Sequence, residues 1–426
     1  MSIEKLYEIY LRHPWVQTDS RKLKPGELFF ALKGENFNGN VFAKQAVENG
    51  AAYAIIDEAE YFVNEKTILV DNVLTSLQQL ATYHRQQFNI PFIAITGSNG
   101  KTTTKELIHA VLSAGYRTYT TEGNLNNHIG IPLTLLKINQ NAEMVVIEMG
   151  ANHQKEIEGY CNLVHPTHGL ITNCGKAHLE GFGSEAGVRK GKGELFDYLR
   201  THNGTAFIMW DYDYLQEMSK GISTVFKYGT SDADVEGAIS GKGTLLTVEM
   251  KKGTLTGMIK TQLVGDYNLP NVLSAIAIGE YLKVSPEKIK TAIENYKPTN
   301  SRSELQQHGT NKIILDAYNA NPSSMKLAIE NFARLQAEKK VLLLGAMAEL
   351  GTDSMKEHEQ LITLLKQYTW NDVVLVGGDF LKVSHPFIAF ANSIEAREWY
   401  KQKNFENTSV LIKGSRSMKM ERVLEN

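Results

Sequence analysis

Residues 91–115 place a short glycine-containing loop between two stretches of different periodicity. The loop, TGSNGKTTTK at 96–105, follows the apolar run PFIAI and precedes ELIHAVLSAG. This order predicts a buried strand, a tight turn and a helix. Backbone N–H groups of such a turn and the open helix N-terminus bind phosphate, while lysine supplies a cation and threonine a hydroxyl for Mg²⁺. We therefore predict a nucleotide-binding P-loop formed by Gly97, Ser98, Asn99, Gly100, Lys101, Thr102 and Thr103.

The first glycine of this loop is shifted from its usual place. The common spacing G-x-x-x-x-G-K-[ST] would require glycine at position 95, where the chain has Ile95, and the glycine comes at Gly97. The alternative is a plain turn with a solvated Lys101. The predicted strand before the loop and the helix after it favour the P-loop.

The composition narrows the class of protein. At 426 residues the chain is long for one hydrophobic core and predicts several domains. Its formal charge of −2 offers no basic field, so we expect no nucleic-acid partner. Two cysteines are too few for a disulfide framework. No apolar run approaches the roughly 18 residues of a membrane span, so we expect a cytoplasmic enzyme without a transmembrane segment.

Changes of pattern divide the chain into three predicted domains, 1–87, 88–298 and 299–426. The first mixes short strands with helical stretches. The second alternates buried strands with helical segments, which is typical of a parallel sheet, and its residues 234–265 predict an antiparallel hairpin. KPTNS at 297–301 is the predicted linker to a third domain of alternating strands and helices. The predicted fold class is α/β with a central P-loop domain.

Two polar residues follow apolar strands of the second domain. Glu148 ends the strand in VVIEMGAN, and His178 lies in TNCGKAHLEGFGS after another strand. Loops after parallel strands collect ligands at one edge of a sheet, so Glu148 is a candidate ligand for a Mg²⁺ ion that Thr102 also contacts. The alternatives are a solvated acid for Glu148 and a structural hydrogen bond for His178.

The stretch GVRKGKGELF at 187–196 places three basic residues, among them Lys192, beside glycines. By itself this pattern indicates the solvated start of a basic helix. From the residues alone, replacing Lys192 should therefore change little.

TGSNGKTTTKE resembles the P-loop of the Mur ligases, ATP-dependent amide-forming enzymes of peptidoglycan synthesis, in which the glycine is similarly late. Further segments resemble the branch of this family that adds D-alanyl-D-alanine, and the resemblance covers nearly the whole chain. These segments are DSRKLKPGELFFALKGE at 19–35, EGNLNNHIGIPLTLL at 122–136, EMGANHQKEI at 148–157, TNCGKAHLEGFGS at 172–184, YNANPSSM at 318–325, LGAMAELG at 344–351 and KGSRSMKMERV at 413–423.

The resemblance implies three α/β domains, the first binding a uridine nucleotide, the second ATP, and the third Rossmann-like and closing over the site. The implied catalytic residues are Lys101, Glu148, His178 and Lys192. The implied Mg²⁺ ligands are Thr102, Glu148, His178 and Lys192. Carbamylation by CO₂ would convert Lys192 from a cation into a carboxylate that holds a second Mg²⁺.

Other positions are implied to bind the nucleotide and the substrates. Asn268 and Asn271 match adenine-contacting asparagines, and Arg302 and Asp316 match positions that reach ATP. The implied substrate-binding residues are Asp19, Ser20, Arg21, Asn124, Asn126, Asn127, Tyr318, Asn319, Asn321, Lys413, Ser415 and Arg416. By this resemblance, residues 19–21 belong to the region that binds uridine diphosphate. The three asparagines within 124–127 belong to the region where the phosphates of the nucleotide-sugar and of ATP meet.

The function implied by the resemblance is an ATP-dependent ligase. It would join D-alanyl-D-alanine to UDP-N-acetylmuramoyl-tripeptide through an acyl phosphate, with ATP and Mg²⁺, as a monomer. The alternatives are a related Mur ligase or folylpolyglutamate-type ligase of other specificity, and a nucleotide-binding regulator that no longer catalyses. The sequence leaves open whether the tripeptide ends in lysine or diaminopimelate.

Four departures from the family pattern loosen individual contacts. Leu315 replaces one of two successive acids, Ala346 replaces an aspartate, and Tyr267 stands where a histidine often precedes the adenine asparagine. NGN at 38–40 replaces Asp-Gly-His. None of these changes removes an implied catalytic group.

Overall fold

The computed structural model describes residues 1–299 and 301–425. Its helices are α1 (Ile3–Arg12), α2 (Ala43–Glu48), α3 (Val73–Arg85), α4 (Lys101–Ser113), α5 (Gly130–Leu135), α6 (Glu156–Val164), α7 (Leu179–Phe182), α8 (Glu185–Thr201), α9 (Asp213–Met218), α10 (Leu269–Tyr281), α11 (Pro286–Asn295), α12 (Pro322–Arg334), α13 (Ser354–Leu365) and α14 (Ser393–Lys403).

The strands in these residues are β1 (Val16–Gln17), β2 (Leu28–Phe30), β3 (Lys33–Gly34), β4 (Phe37–Asn38), β5 (Tyr53–Ile56), β6 (Thr67–Leu69), β7 (Phe92–Thr96), β8 (Thr118–Thr120), β9 (Met144–Glu148), β10 (His168–Ile171), β11 (Thr205–Met209), β12 (Thr224–Gly229), β13 (Val235–Ile239), β14 (Leu245–Lys252), β15 (Gly257–Val264), β16 (Glu304–His308), β17 (Asn311–Asp316), β18 (Lys339–Gly345), β19 (Asp372–Val376), β20 (Ile388–Phe390) and β21 (Thr408–Lys413).

Three larger sheets organise these strands. Their orders are β1-β2-β5-β6, β15-β14-β13-β12-β11-β10-β7-β9-β8 and β16-β17-β21-β18-β19-β20. The four-stranded sheet is parallel throughout. In the nine-stranded sheet β11, β12 and β13 pair in parallel, whereas β13, β14 and β15 pair antiparallel. The predicted hairpin within 234–265 is confirmed as β14 and β15, and the predicted α/β fold class is confirmed.

The chain separates into two compact units. The first comprises Met1–Ala94, Tyr116–Ala151 and Lys155–Gly169. It contains the four-stranded sheet, whose small residues pack against Phe29 and Ile56 in a core of their own. Helix α3 begins after Asn72, whose side-chain oxygen accepts the Thr75 N–H at 2.8 Å.

The second unit comprises Ile95–Gly115, Asn152–Gln154 and the chain from Leu170 onward. Its six-stranded sheet is parallel from β17 to β20, with β16 antiparallel at one edge. Strand β18 is apolar without alternation because both of its faces are covered: Leu342 and Leu344 belong to one core cluster, Val341 and Leu343 to another. The carboxyl ends of the parallel strands in this six-stranded sheet meet at one edge, where Asp316 on β17 lies opposite Lys413 on β21.

The predicted linker at 297–301 includes Asn300, which lies outside the described residues. Among the residues that the structure describes, none of the helices has the length and apolar character needed to span a bilayer.

Candidate active site

The P-loop turns between the end of β7 and the start of α4. Gly97 and Gly100 have φ of 141° and 80°, in the region that favours glycine. A Cβ at Gly97 would lie 2.0 Å from Thr172 Oγ1, and one at Gly100 would lie 2.7 Å from Asn271 Oδ1. Both positions therefore require glycine, and the turn directs the first N–H groups of α4 toward the loop.

The segment after β10 holds this loop in place. The Ser98 N–H donates to the Asn173 carbonyl at 2.8 Å, and the Asn99 N–H donates to Asn173 Oδ1 at 3.1 Å. Thr172 Oγ1 donates to the Asn99 carbonyl at 2.6 Å. The loop conformation is thus fixed by hydrogen bonds before any nucleotide binds.

Lys101 folds back onto the loop that precedes it. Its Nζ donates to the Gly97 carbonyl at 2.7 Å and to the Ser98 carbonyl at 3.3 Å. Thr102 is buried and Thr103 is half-buried. The ammonium group is therefore held at the loop, which is where a phosphate-binding lysine acts.

His178 contacts a carboxylate from the loop after β18. Its Nδ1 lies 2.6 Å from Glu349 Oε2, and both residues have positive φ, 52° and 62°. The close contact with His178 holds the pKa of Glu349 below its usual range, and Lys101 lowers it further. His178 and Lys101 thus both act on one carboxylate that the sequence did not point to.

Lys192 is buried, with 1% of its surface exposed, whereas its neighbours Arg189 and Lys190 are exposed. Its Nζ lies 5.1 Å from the centre of the Phe182 ring. Burial raises the pKa of the Cys174 thiol to about 12, and the charges of Lys192 and Arg189 oppose that rise. The solvated position expected for Lys192 from the residues alone is wrong, because α8 turns this side chain inward.

Glu148 ends β9 in the first unit and is 2% exposed. Its Oε1 accepts a hydrogen bond from Asn126 Nδ2 at 2.8 Å. Its Oε2 is buried, and no residue in the described ranges donates a hydrogen bond to it. A buried carboxylate oxygen without a donor is costly and suits a cation.

The asparagines near Glu148 differ in their surroundings. Asn124 and Asn127 are exposed, and Asn127 Oδ1 accepts the Gly130 N–H at 2.8 Å at the start of α5. A Cβ at Gly150 would lie 2.9 Å from Asn126 Cγ, so glycine leaves the space that Asn126 occupies. Of the three, the structure brings Asn126 to Glu148.

Asp19 and Arg21 form a local ion pair in the first unit. Arg21 Nε and Nη2 donate to the two Asp19 oxygens at 2.8 and 2.9 Å, with 86% of the Arg21 side chain exposed. The hydrogen bond from Arg21 lowers the pKa of Asp19 to about 2. Ser20 between them is half-buried.

Asn268 and Asn271 are buried against the P-loop helix. Asn271 Nδ2 donates to Asn268 Oδ1 at 2.8 Å, and Asn271 Oδ1 accepts from Thr104 Oγ1 at 3.0 Å. Asn268 Nδ2 donates to the Val264 carbonyl at 2.8 Å. Their hydrogen bonds in this structure are to protein, and adenine contact stays a prediction.

Arg302 lies just before β16, and Asp316 ends β17 of the six-stranded sheet. The Arg302 guanidinium carbon lies 3.5 Å from the centre of the Tyr318 ring. Asp316 Oδ2 accepts from Lys413 Nζ at 2.5 Å, and Asp316 Oδ1 accepts the Ser303 N–H at 3.1 Å. Lys413 is 2% exposed, so its charge is paired inside the protein.

The other expected substrate-binding residues lie on loops of the same unit. Asn321 caps α12, and its Nδ2 donates to Asn99 Oδ1 of the P-loop at 2.8 Å. Asn319 is exposed, and the buried Ser415 accepts the Ala348 N–H at 2.8 Å. Arg416 is exposed and pairs with Glu421 at 3.0 Å. The structure thus joins Asn321 to the P-loop, and Arg416 only to a neighbour in its own segment.

All four departures from the family pattern involve buried or half-buried residues. Leu315 and Ala346 are buried, and a Cβ at Gly378 would lie 2.5 Å from Ala346 Cβ. Tyr267 donates or accepts a hydrogen bond with Ser303 Oγ at 2.8 Å. At 38–40, Asn40 is fully buried and bonds to Asp57 at 2.9 Å.

Sequence reasoning missed several residues beside the site. Lys176 pairs with Glu357 at 2.7 Å, Glu349 contacts His178, and Phe182 lies under Lys192. Lys176 follows a glycine in the loop after a strand, and this position was a signal in the sequence that the lysine lies beside the site. The two acids carry no comparable signal, because nothing local relates them to a loop more than 170 residues earlier.

The P-loop residues of the second unit fit a nucleotide, and Glu148 of the first unit fits a divalent cation. The positive-φ glycines and the start of α4 provide a phosphate cradle. The unpartnered Oε2 of Glu148 provides a cation ligand. Within 1–299 and 301–425, no group of three or more His, Cys, Asp or Glu side chains is placed to hold a metal ion. Mg²⁺ commonly takes one or two protein carboxylates and completes its shell with water and phosphates.

Three family models match successive parts of the chain. The Mur ligase family catalytic domain matches residues 15–85, the Mur ligase middle domain residues 95–279, and the Mur ligase glutamate ligase domain residues 301–416.

Individual relatives match over nearly full length. A UDP-N-acetylmuramoyl-tripeptide–D-alanyl-D-alanine ligase of Bacillus subtilis is 35% identical, with 96% of this chain and 92% of that protein covered. A crystal structure of MurF from Acinetobacter baumannii superposes with a TM-score of 0.87 at 31% identity, over 96% of this chain and 92% of that one.

A MurF ligase from Thermotoga maritima in complex with ADP superposes with the same TM-score of 0.87 at 25% identity, covering 97% of each chain. The family-model matches at 95–279 and 301–416 span the P-loop, Glu148 and the segments around Asn321 and Lys413. The chain belongs to the Mur ligase family.

Proposed function

We propose that this chain is an ATP-dependent ligase that joins D-alanyl-D-alanine to UDP-N-acetylmuramoyl-tripeptide and releases ADP and phosphate. The observation that carries this proposal is the match to a ligase of that name over 92% of its length. The formed P-loop, with Lys101 held at its carbonyls, supports the use of ATP.

The domains at 1–87, 88–298 and 299–426 are proposed to bind the uridine nucleotide, ATP and the dipeptide-side groups, in that order. Because ATP and a nucleotide sugar are intracellular substrates, we place the reaction in the cytoplasm. We propose that the enzyme acts as a monomer, which light scattering would test.

The proposed reaction has two steps. A carboxylate oxygen of the tripeptide attacks the γ-phosphorus of ATP, the bond to the β-phosphate oxygen breaks, and ADP leaves. The amine of D-alanyl-D-alanine then attacks the acyl-phosphate carbonyl carbon and forms the C–N bond. The bond from that carbon to the phosphate oxygen breaks, phosphate leaves with its electron pair, and the amine nitrogen loses a proton. Activation is needed because a carboxylate is a poor electrophile.

Lys101 is proposed to neutralise charge on the transferring phosphoryl group. To do so its ammonium exchanges the Gly97 and Ser98 carbonyls for phosphate oxygens. The N–H groups at the start of α4 and the hydroxyl of Thr102 complete the phosphate side of the site.

Glu148, His178, Thr102 and a carbamylated Lys192 are the residues proposed to hold Mg²⁺. When bound, this ion supplies positive charge against the phosphate oxygens. Asn126 orients the Glu148 carboxylate through Oε1 and leaves Oε2 for the ion. Asp19, Ser20, Arg21, Asn124 and Asn127 are proposed for the nucleotide-sugar, and Tyr318, Asn319, Asn321, Lys413, Ser415 and Arg416 for the dipeptide side.

Phosphate release from ATP tests the proposal. We expect release only when both UDP-N-acetylmuramoyl-tripeptide and D-alanyl-D-alanine are present, with lysine- and diaminopimelate-containing tripeptides compared side by side. Release with another amine acceptor instead would identify a ligase of different specificity. Nucleotide binding without release under any pairing would identify a non-catalytic nucleotide-binding protein.

A further inference from the structure

The segment 173–182, which follows β10 and carries His178, is contacted by three later parts of the chain. Asn321 at the start of α12 reaches the neighbouring P-loop residue Asn99. Ser323 Oγ accepts the Lys176 N–H at 3.0 Å. Glu357 on α13 and Glu349 after β18 contact Lys176 and His178. These contacts link residues that are 147 to 222 positions apart in the sequence.

One of these contacts is an ion pair between Lys176 and Glu357, whose carboxylate is buried. Lys176 Nζ lies 2.7 Å from Glu357 Oε1, with 34% of the lysine side chain and 6% of the glutamate side chain exposed. In this pair the Lys176 ammonium donates a hydrogen bond and the Glu357 carboxylate accepts it. A carboxylate this buried depends on its partner, because a lone buried charge is costly.

The backbone beside Lys176 is packed against α12 and hydrogen-bonded to the P-loop. A Cβ at Gly175 would lie 2.7 Å from Ser323 Oγ, so the segment and the first turn of α12 are in direct contact. Gly175 also accepts a hydrogen bond from Ser98 Oγ of the P-loop at 2.8 Å. A displacement of Lys176 would therefore be felt by the P-loop on one side and by His178, two residues later, on the other.

We propose that Lys176 and Glu357 are positioning residues whose ion pair fixes the segment 173–178 and thereby sets His178 and the P-loop for phosphoryl transfer. Neither side chain is required to touch a substrate. The expected effect of the ion pair on phosphoryl transfer rests on the proposed ligase function. Its expected effect on the position of segment 173–178 does not. Misplacing reacting groups by about 1 Å can cost on the order of a hundredfold in rate.

Hydrogen exchange in the full-length protein with ADP bound tests the positional consequence without requiring turnover. Glu357→Gln and Lys176→Met should each raise amide exchange in 173–182 by about tenfold or more, since a buried ion pair that is broken weakens its surroundings. The exchanged pair Lys176→Glu with Glu357→Lys should restore most of the protection that either single charge reversal removes.

A matched control is the ion pair between Lys326 and Glu330 on α12, whose charged atoms are 3.9 Å apart and whose side chains are 64% and 24% exposed. Lys326→Met and Glu330→Gln should leave exchange in 173–182 unchanged. Lys176→Arg, which keeps the charge, should retain most of the protection. The unfolding midpoint of each variant identifies global destabilisation, and Lys176→Met remains usable if Glu357→Gln fails to fold, because Lys176 is partly exposed.

Kinetics test the catalytic consequence. The charge-removing variants should lower kcat by about 10- to 100-fold while the KM for ATP changes by less than about threefold, because the P-loop keeps its own phosphate contacts. Wild-type exchange and wild-type kcat in both single variants would overturn the proposal. If the wild-type protein releases no phosphate, the ligase assignment fails, and the exchange comparison alone still decides the positioning role.

Discussion

The charge of Lys101 is placed at the loop by two backbone carbonyls and has no part in the hydrophobic core. Replacing it by alanine should abolish phosphoryl transfer and leave the fold intact. Loss of such a charge contact in the transition state should cost about 3 kcal/mol or more of barrier. The measurement is single-turnover phosphate release alongside circular dichroism, and near wild-type turnover would contradict the assignment of this loop.

Lys192 gives the second prediction at the scale of single residues. Its burial beside Phe182 agrees with a functional position better than with the solvated one. Lys192→Ala should lower turnover strongly without unfolding the protein, because it removes the group that would become a carbamate. Acetate or formate should restore activity by supplying carboxylate oxygens in the vacated space.

A matched control sharpens the Lys192 experiment. Lys190→Ala, an exposed neighbour on the same helix, should keep normal turnover and show no response to acetate. Full activity of Lys192→Ala without any added acid would refute the carbamate role.

Among the secondary-structure elements, α8 shows why a run of basic residues can be wrongly interpreted as solvent-exposed. Val188, Lys192, Leu195 and Leu199 are all buried. Their spacing of four, three and four residues defines one helical face. The sequence therefore held a signal for the burial of Lys192, but the density of charge and glycine around it pointed to solvent.

Gly191 on α8 packs directly against Phe182, so a larger residue at this position should disturb the packing. A Cβ at Gly191 would lie 2.5 Å from Phe182 Cε1, so Gly191→Ala must displace the ring under Lys192. Overpacking of this kind costs about 1–3 kcal/mol, against a gain of up to about 1 kcal/mol in helix propensity. We expect a net loss of unfolding free energy in denaturant titration, together with lower activity.

Gly193 is the matched position on the same helix. Its added Cβ would meet only the flexible end of Met218, at 3.3 Å. Gly193→Ala should therefore be neutral or stabilising and leave activity unchanged. A stabilised Gly191→Ala variant with normal turnover would contradict the role given to the Phe182 contact.

Strands and helices were predictable because each is specified by nearby residues. The apolar runs at β17, β18, β19 and β21 predicted the third sheet, and alternation around Lys-Lys-Gly predicted β14 and β15. Pairings between distant loops were not predictable. The contacts of Lys176 with Glu357 and of Asn99 with Asn321 depend on how whole elements pack, which local periodicity does not contain.

At the scale of the whole molecule, the contact between the P-loop and α12 predicts an order of binding. Because Asn321 bonds to Asn99, filling the P-loop should favour the arrangement of α12 that receives the second substrate. ATP should therefore bind before D-alanyl-D-alanine. Calorimetry should show dipeptide binding only after a non-hydrolysable ATP analogue and the tripeptide substrate are present, and tight dipeptide binding to nucleotide-free protein would contradict this order.

Tyr267, hydrogen-bonded to Ser303 beyond the predicted linker, has a consequence for acid tolerance. A histidine in place of Tyr267 could gain a proton on acidification, because its ordinary pKa is about 6.5 and burial would move it lower. The tyrosine stays uncharged, since burial and then the nearby Asp316 raise its pKa above its usual value. The segment that joins the second and third predicted domains therefore keeps one protonation state at Tyr267 as the pH falls, whereas a histidine protonated at this position would carry a buried charge.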